Sequence, residues 1–188
     1  MKIFVLDNYD SFTYNLVHLL EQFASSVEVL RNDSVNINKI QEFDKIVFSP
    51  GPGIPSDMKV MFDILNNYKK SKSILGVCLG HQAIAEYFGA KLLNMPEVNH
   101  GREFKTKIIH SDYIFNKIPK EFNSGRYHSW IVSKNRFPKE LEITSTDSIN
   151  NNIMSLKHKG LDISGVQFHP ESIMTEFGSK MIENWVNF

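Results

Sequence analysis

Apolar residues recur along the first half of the chain in two alternating rhythms. Ile3-Phe4-Val5-Leu6 is a continuous apolar run closed by the polar residues 7–10, the pattern of a buried strand and its turn. From Ser11 the apolar positions become Phe12, Leu16, Leu19, Leu20 and Phe23, the one-sided stripe of an amphipathic helix with Ser11 as a candidate N-cap. Val27, Val29 and Leu30 predict a second strand, and Ile46-Val47-Phe48 a third that runs into Ser49-Pro50-Gly51-Pro52-Gly53. A helix on Val60, Met61, Ile64, Leu65 and Tyr68 follows. Ile74-Leu75-Gly76-Val77 is a fourth strand leading straight into Cys78 and a helix on Ala83, Ile84, Tyr87 and Phe88, which Gly89 is placed to end in the left-handed conformation.

Continuous apolar strands separated by helices predict a parallel sheet covered on both faces. Beyond about residue 90 the rhythm shortens to strands at residues 104–109, 127–132, 141–146, 153–158 and 163–168, with a closing helix on Phe177, Met181, Ile182, Trp185 and Val186. The expected fold is α/β: an open, mostly parallel twisted sheet with helices on both faces and extra short antiparallel strands in the second half. No linker or repeat divides the 188 residues, which are read as a single domain over 1–188.

Composition narrows the class without naming it. The chain is 41% hydrophobic and 22% charged, neither disordered nor fibrous. Lys plus Arg and Asp plus Glu are 21 each, so the basic surplus of a nucleic-acid binder is missing. No apolar stretch reaches membrane-span length and the start lacks a signal-peptide core. The single cysteine, Cys78, rules out an internal disulfide. A cytoplasmic location is expected, with neither membrane nor nucleic acid as partner.

In open parallel sheets, ligands sit beyond the C-terminal ends of the strands, which directs attention to three segments. Gly76-Val77-Cys78-Leu79-Gly80 has the spacing of a nucleophile elbow with sulfur in place of the serine oxygen. A lone Cys is by itself more often a core residue; glycines on both sides of a strand–helix junction favour the nucleophile, because they remove colliding Cβ atoms. The helix beginning after Cys78 aims its free N–H groups at the sulfur, which favours thiolate. His169 ends an apolar strand, Pro170 forces it into an extended conformation, and Glu171, two residues on, falls on the same side. An ordinary strand-end turn accounts for His-Pro-Glu alone; paired with the elbow it completes a Cys78–His169–Glu171 triad. Gly51 and Gly53 leave the main chain of the proline-pinned loop open to a developing oxyanion, and the Leu79 N–H is a second donor. Taken alone, Pro-Gly-Pro-Gly is more often a tight turn; its position at the C-terminal end of a strand brings the two readings level. His81 adjoins the nucleophile but diverges from it on the helix and is read as structural. No His/Cys/Asp cluster has metal-ligand spacing.

These segments, with residues 7–16, His100-Gly101 and Arg126-Tyr127-His128-Ser129, resemble the class I (triad-type) glutamine amidotransferases, and among them the small subunit of anthranilate synthase and of aminodeoxychorismate synthase. The resemblance covers essentially the whole chain. It implies that Cys78 attacks the glutamine side-chain amide, that His169 is base and acid, and that Glu171 orients it. It implies an oxyanion hole at Gly51 and Leu79 completed by Pro52 and Gly53, and glutamine binding by Gln82 and by the backbone at Ser129 and Trp130. Trp130 stands where the family commonly has Leu, and Arg102 where it often has Lys. The implied partners are L-glutamine and a separate chorismate-using subunit, component I. No cofactor is expected in this chain; Mg2+ is expected on the partner. Anthranilate is the expected product, with aminodeoxychorismate, or one subunit serving both, as the alternative. A stand-alone γ-glutamyl hydrolase conflicts with the motif at residues 7–16, and a non-catalytic regulatory subunit would not need an intact triad.

Overall fold

The structure, a computed structural model, describes residues 1–188, except for the side chains of residues 97–100. Nine strands form one open sheet: β1 Lys2–Asp7, β2 Ser26–Arg31, β3 Lys45–Phe48, β4 Ser73–Val77, β5 Leu92–Ile108, β6 Glu121–Val132, β7 Leu141–Asp147, β8 Ile153–His158 and β9 Ile163–Val166. Their spatial order is β2-β1-β3-β4-β9-β8-β7-β5-β6. The first five in that order pair in parallel and the remaining pairs are antiparallel. The expected α/β architecture is therefore present, with one refinement. The last strand does not extend the antiparallel half; β9 lies parallel to β4, with Gly76 opposite Gly165. The strands expected at 104–109 and 127–132 prove longer, β5 and β6 forming an extended antiparallel pair whose register is interrupted after Asn94. Pro96, which has no N–H to give the ladder, falls in that interruption.

Four helices cover the two faces: α1 Thr13–Glu21, α2 Val60–Tyr68, α3 Leu79–Tyr87 and α4 Gly178–Asn187. Leu16, Val17 and Leu20 of α1 and Met181, Ile182 and Trp185 of α4 share one core with Ile3, Val5 and Val77. Met61, Ile64 and Leu65 of α2 and Ala83 and Ile84 of α3 share the other with Phe4, Leu6 and Phe48. The side-chain alternation of β1 sends Ile3 and Val5 to one face and Phe4 and Leu6 to the other, which is why its sequence is apolar throughout. Ser11 does not cap α1. It is exposed, and α1 starts after Phe12 with no side-chain cap; the Asp10 carboxylate instead braces the preceding turn by accepting the Phe12 N–H at 2.8 Å. Gly89 follows α3 at φ +99, as its placement predicts. Among the described residues no helix is long and apolar enough to cross a membrane.

The start of α4 docks on the segment after β9 with no space to spare. A Cβ on Gly178 would lie 1.9 Å from the Pro170 carbonyl oxygen, closer than any non-bonded atoms approach. Gly178→Ala is expected to cost at least about 2 kcal/mol, since the obstruction is backbone rather than a side chain that can swing away. Urea unfolding would register this as a lowered midpoint with an unchanged slope; an unshifted midpoint would show that α4 docks elsewhere.

Candidate functional site

The C-terminal ends of β1, β3, β4 and β9 converge on one rim, and each carries a segment singled out in the sequence. At the end of β4 the chain turns so sharply into α3 that Cys78 takes φ 52, ψ −97. Two glycines permit it. A Cβ at Gly76 would meet the Gly80 backbone at 2.4 Å, and one at Gly80 would meet Phe48 at 2.6 Å. The turn is pinned from the neighbouring strand by the Cys78 N–H, which donates to the Val166 carbonyl at 2.8 Å. The sulfur lies at the N-terminus of α3, only 5% exposed.

His169 and Glu171 follow β9. The Nδ1–H of His169 donates to the Glu171 carboxylate at 2.7 Å, and both side chains are buried. Burial opposes the imidazolium, but the Glu171 charge and the adjacent Cys78 sulfur outweigh it and hold the His169 pKa well above its ordinary value. Because Nδ1 is engaged, Nε2 is the nitrogen left for the neighbouring sulfur; it is buried and makes no hydrogen bond among the described residues. The imidazole's backbone is fixed by the Thr175 hydroxyl, which donates to the His169 carbonyl at 2.5 Å, and by the His169 N–H, which donates to the Gly125 carbonyl at 3.2 Å.

The loop after β3 reaches the same place. Gly51 sits so tightly between Asn8 and Leu79 that a Cβ there would lie 2.6 Å from the Asn8 side chain and 2.7 Å from that of Leu79. Pro52 and Gly53 are exposed, with Gly53 at φ +77. Buried Asn8 clamps this loop to the end of β1: its N–H donates to the Ser49 hydroxyl at 2.9 Å and its side-chain amide to the Ser49 carbonyl at 3.0 Å. Gln82, on the first turn of α3, donates from Nε2 to the Trp130 carbonyl at 2.9 Å and to Gln167 Oε1 at 3.1 Å. Half-buried Ser129 precedes Trp130 on β6. Every residue expected at the site thus lies on an element that meets this rim. The His100 side chain falls outside the described residues.

Four neighbours lay within the sequence motifs without an assigned role. Gln167 donates from Nε2 toward the Cys78 sulfur at 3.5 Å; it precedes His169 by two in an extended segment, a spacing that could have exposed it. Phe12 and Tyr127 contact the His169 ring. His128, buried, is pushed down to about 3 by burial and the nearby Arg126 charge, and its Nδ1–H donates to the Trp130 carbonyl at 3.1 Å. His81 is completely buried against Gly165 and pushed down to about 4 by that burial, in keeping with a packing role. Among the described residues no group of His, Cys, Asp and Glu could hold a metal ion.

A strained thiol at a helix N-terminus, a buried imidazole–carboxylate pair and a glycine loop on one rim are the parts needed to open an amide through a covalent acyl intermediate. Comparison with known proteins agrees with this chemistry. The family model for "Glutamine amidotransferase class-I" matches residues 4–187. The chain is 40% identical to an anthranilate synthase component 2 of Pyropia yezoensis, over 99% of this chain and 99% of that one. It is likewise 40% identical to the aminodeoxychorismate/anthranilate synthase component 2 of Bacillus subtilis, over 98% of this chain and 95% of that one. A crystal structure of a Thermoplasma acidophilum protein, described as part of a GMP synthase, shares the fold at a TM-score of 0.89 and 24% identity, covering 100% of this chain and 92% of that one. The chain belongs to the class I glutamine amidotransferase family.

Proposed function

We propose that the protein hydrolyses L-glutamine through a Cys78 thioester and delivers the ammonia to a chorismate-using partner that makes anthranilate. The observation carrying this reading is the buried 2.7 Å His169–Glu171 pair beside the strained Cys78 elbow. In the first half-reaction the Cys78 thiol gives its proton to His169 Nε2, and the sulfur attacks the side-chain carbonyl carbon of glutamine. The oxygen takes negative charge, stabilised by main-chain N–H groups at Gly51 and Leu79 in the loop that Pro52 and Gly53 complete. Collapse of this intermediate breaks the C–N bond, and His169 returns the proton to the departing nitrogen, releasing ammonia. Water then attacks the thioester with His169 as base, yielding glutamate and the free thiol. Glu171 keeps the imidazole in the required tautomer and balances its charge without transferring a proton. Gln82 and the main chain at Ser129 and Trp130 hold the amino-acid end of the substrate. The reading places no cofactor on this chain, and Mg2+ on the partner.

The name of the Bacillus subtilis relative covers both syntheses, which favours a second reading in which this same chain also serves aminodeoxychorismate formation. Co-purification with each chorismate-using subunit, followed by product identification from chorismate and glutamine, decides between them.

Cys78→Ser is expected to lower glutamine-dependent product formation at least about a thousandfold and to leave turnover with free ammonia intact, since ammonia bypasses the thioester. Substantial glutamine-dependent turnover in this variant would sink the mechanism. Glu171→Ala is expected to lose about one to two orders of magnitude less than His169→Ala in single-turnover thioester formation, because only His169 handles the proton; equal or reversed losses contradict those roles.

The isolated chain is expected to be a poor glutaminase that its partner accelerates at least about tenfold. Tyr9 and the loop at Pro52 and Gly53 are exposed on the rim that also bears Cys78, so a partner docked there presses on the oxyanion loop. One misaimed oxyanion donor costs about 10²–10³ in rate, a change within the reach of a protein interface. Glutaminase turnover measured alone, and then with chorismate and its chorismate-using partner at saturation, tests this. Equal rates would leave ammonia delivery as the partner's whole contribution.

A further inference from the structure

Two aromatic side chains stand against the His169 imidazole, and neither belongs to the triad. The Phe12 ring lies 5.5 Å from it, centroid to centroid, at an interplanar angle of 72°. The Tyr127 ring lies 4.8 Å away at 63°. Phe12 and Tyr127 also touch each other, at 4.8 Å and 48°. The three rings close a triangle, each pair within the range and tilt that aromatic contacts favour.

Both rings are delivered by braced backbone. Phe12 comes from the turn between β1 and α1. There one Asp7 oxygen accepts the Tyr9 N–H and the Thr13 hydroxyl, each at 2.9 Å, and Asp10 accepts the Phe12 N–H. Tyr127 comes from β6, and its hydroxyl lies 3.1 Å from that of Ser172, the residue after Glu171.

We propose that Phe12 and Tyr127 are positioning residues that fix the plane of the His169 imidazole, keeping Nδ1 on Glu171 while Nε2 faces the Cys78 sulfur. The assignment rests on reading Cys78, His169 and Glu171 as the triad. A single hydrogen bond at Nδ1 fixes one point of the ring and leaves it free to tilt about that point. Contacts from two other directions remove this freedom, and near-attack geometry is sensitive to displacements of about 1 Å. The ionisable groups facing His169 are Glu171, Cys78, Tyr127 and, across the site, His128. A ring that tilts away loses the first two, the influences that keep it protonated, so its titration moves toward lower pH.

The test uses the purified chain and needs no glutamine. Alkylation of Cys78 by iodoacetamide is followed against pH, and the His169 ring protons are titrated by NMR, in the wild type, Phe12→Leu, Phe12→Tyr, Tyr127→Leu and His169→Ala. Phe12→Leu is expected to alkylate about two- to tenfold more slowly at neutral pH, with the His169 titration displaced downward by at least about half a unit. Tyr127→Leu behaves likewise, while Phe12→Tyr, which keeps the ring, stays near wild type. Folded leucine variants whose titration and rate profile match wild type overturn the proposal. Failure of both leucine variants to fold also counts against it, because the rings would then serve the fold rather than the imidazole. Failure of the triad reading is separately visible as His169→Ala alkylating like wild type.

Discussion

The site depends on the backbone at Cys78 being held where a residue with a side chain does not willingly go. A non-glycine residue at φ 52, ψ −97 carries strain on the order of 1–3 kcal/mol. It persists because its surroundings leave no alternative. β4 is locked between β3 and β9, the Cys78 N–H is tied to Val166, and α3 can start immediately only by crossing Phe48 at a distance that admits no Cβ on Gly80. What the strain secures is placement. The sulfur is lifted to the rim with a helix N-terminus behind it, and the Leu79 side chain is brought against Gly51.

Sheet order then achieves what sequence proximity cannot. His169 is far from Cys78 along the chain, yet β9 inserts directly beside β4, so their C-terminal ends open onto the same point. The antiparallel strands that intervene in sequence fold outward from β9, and β6 returns as the far edge to bring Tyr127, Ser129 and Trp130 back toward the site. That return is visible in the Gln82 amide meeting the Trp130 carbonyl and in Tyr127 meeting His169. A mixed sheet is thus the means by which a parallel-sheet site acquires a third wall.

Elements with one dominant local cause were legible in the sequence. The apolar run at residues 3–6, the flanking glycines of Cys78 and the two-residue spacing of His169 and Glu171 each carry their structural consequence with them. Contacts set by register between distant strands were not legible. Nothing local announces that β9 pairs with β4 in parallel, or that Gly178 must be bare because it meets the Pro170 carbonyl. The candidate cap at Ser11 failed for a related reason. Asp7 and Asp10 hold the turn before α1, their carboxylates accepting from Tyr9 and Phe12 and the Asp10 carbonyl from the Thr13 N–H, while Ser11 faces solvent.

The histidines show how environment turns residue type into function. His81, His128 and His169 are all buried close to the same centre, and burial alone opposes the protonated form of each. For His81 and His128 no carboxylate offsets it: His81 packs on a glycine, and His128 feels the positive charge of Arg126, so both stay neutral well below neutral pH. His169 alone of the three has a carboxylate on one nitrogen and a sulfur facing the other, and those two neighbours reverse the sign of its shift. The difference traces to the turn after β9, closed by the Ser172 N–H donating to the His169 carbonyl, which carries Glu171 back onto the imidazole. That turn gives His169 the carboxylate that His81 and His128 lack.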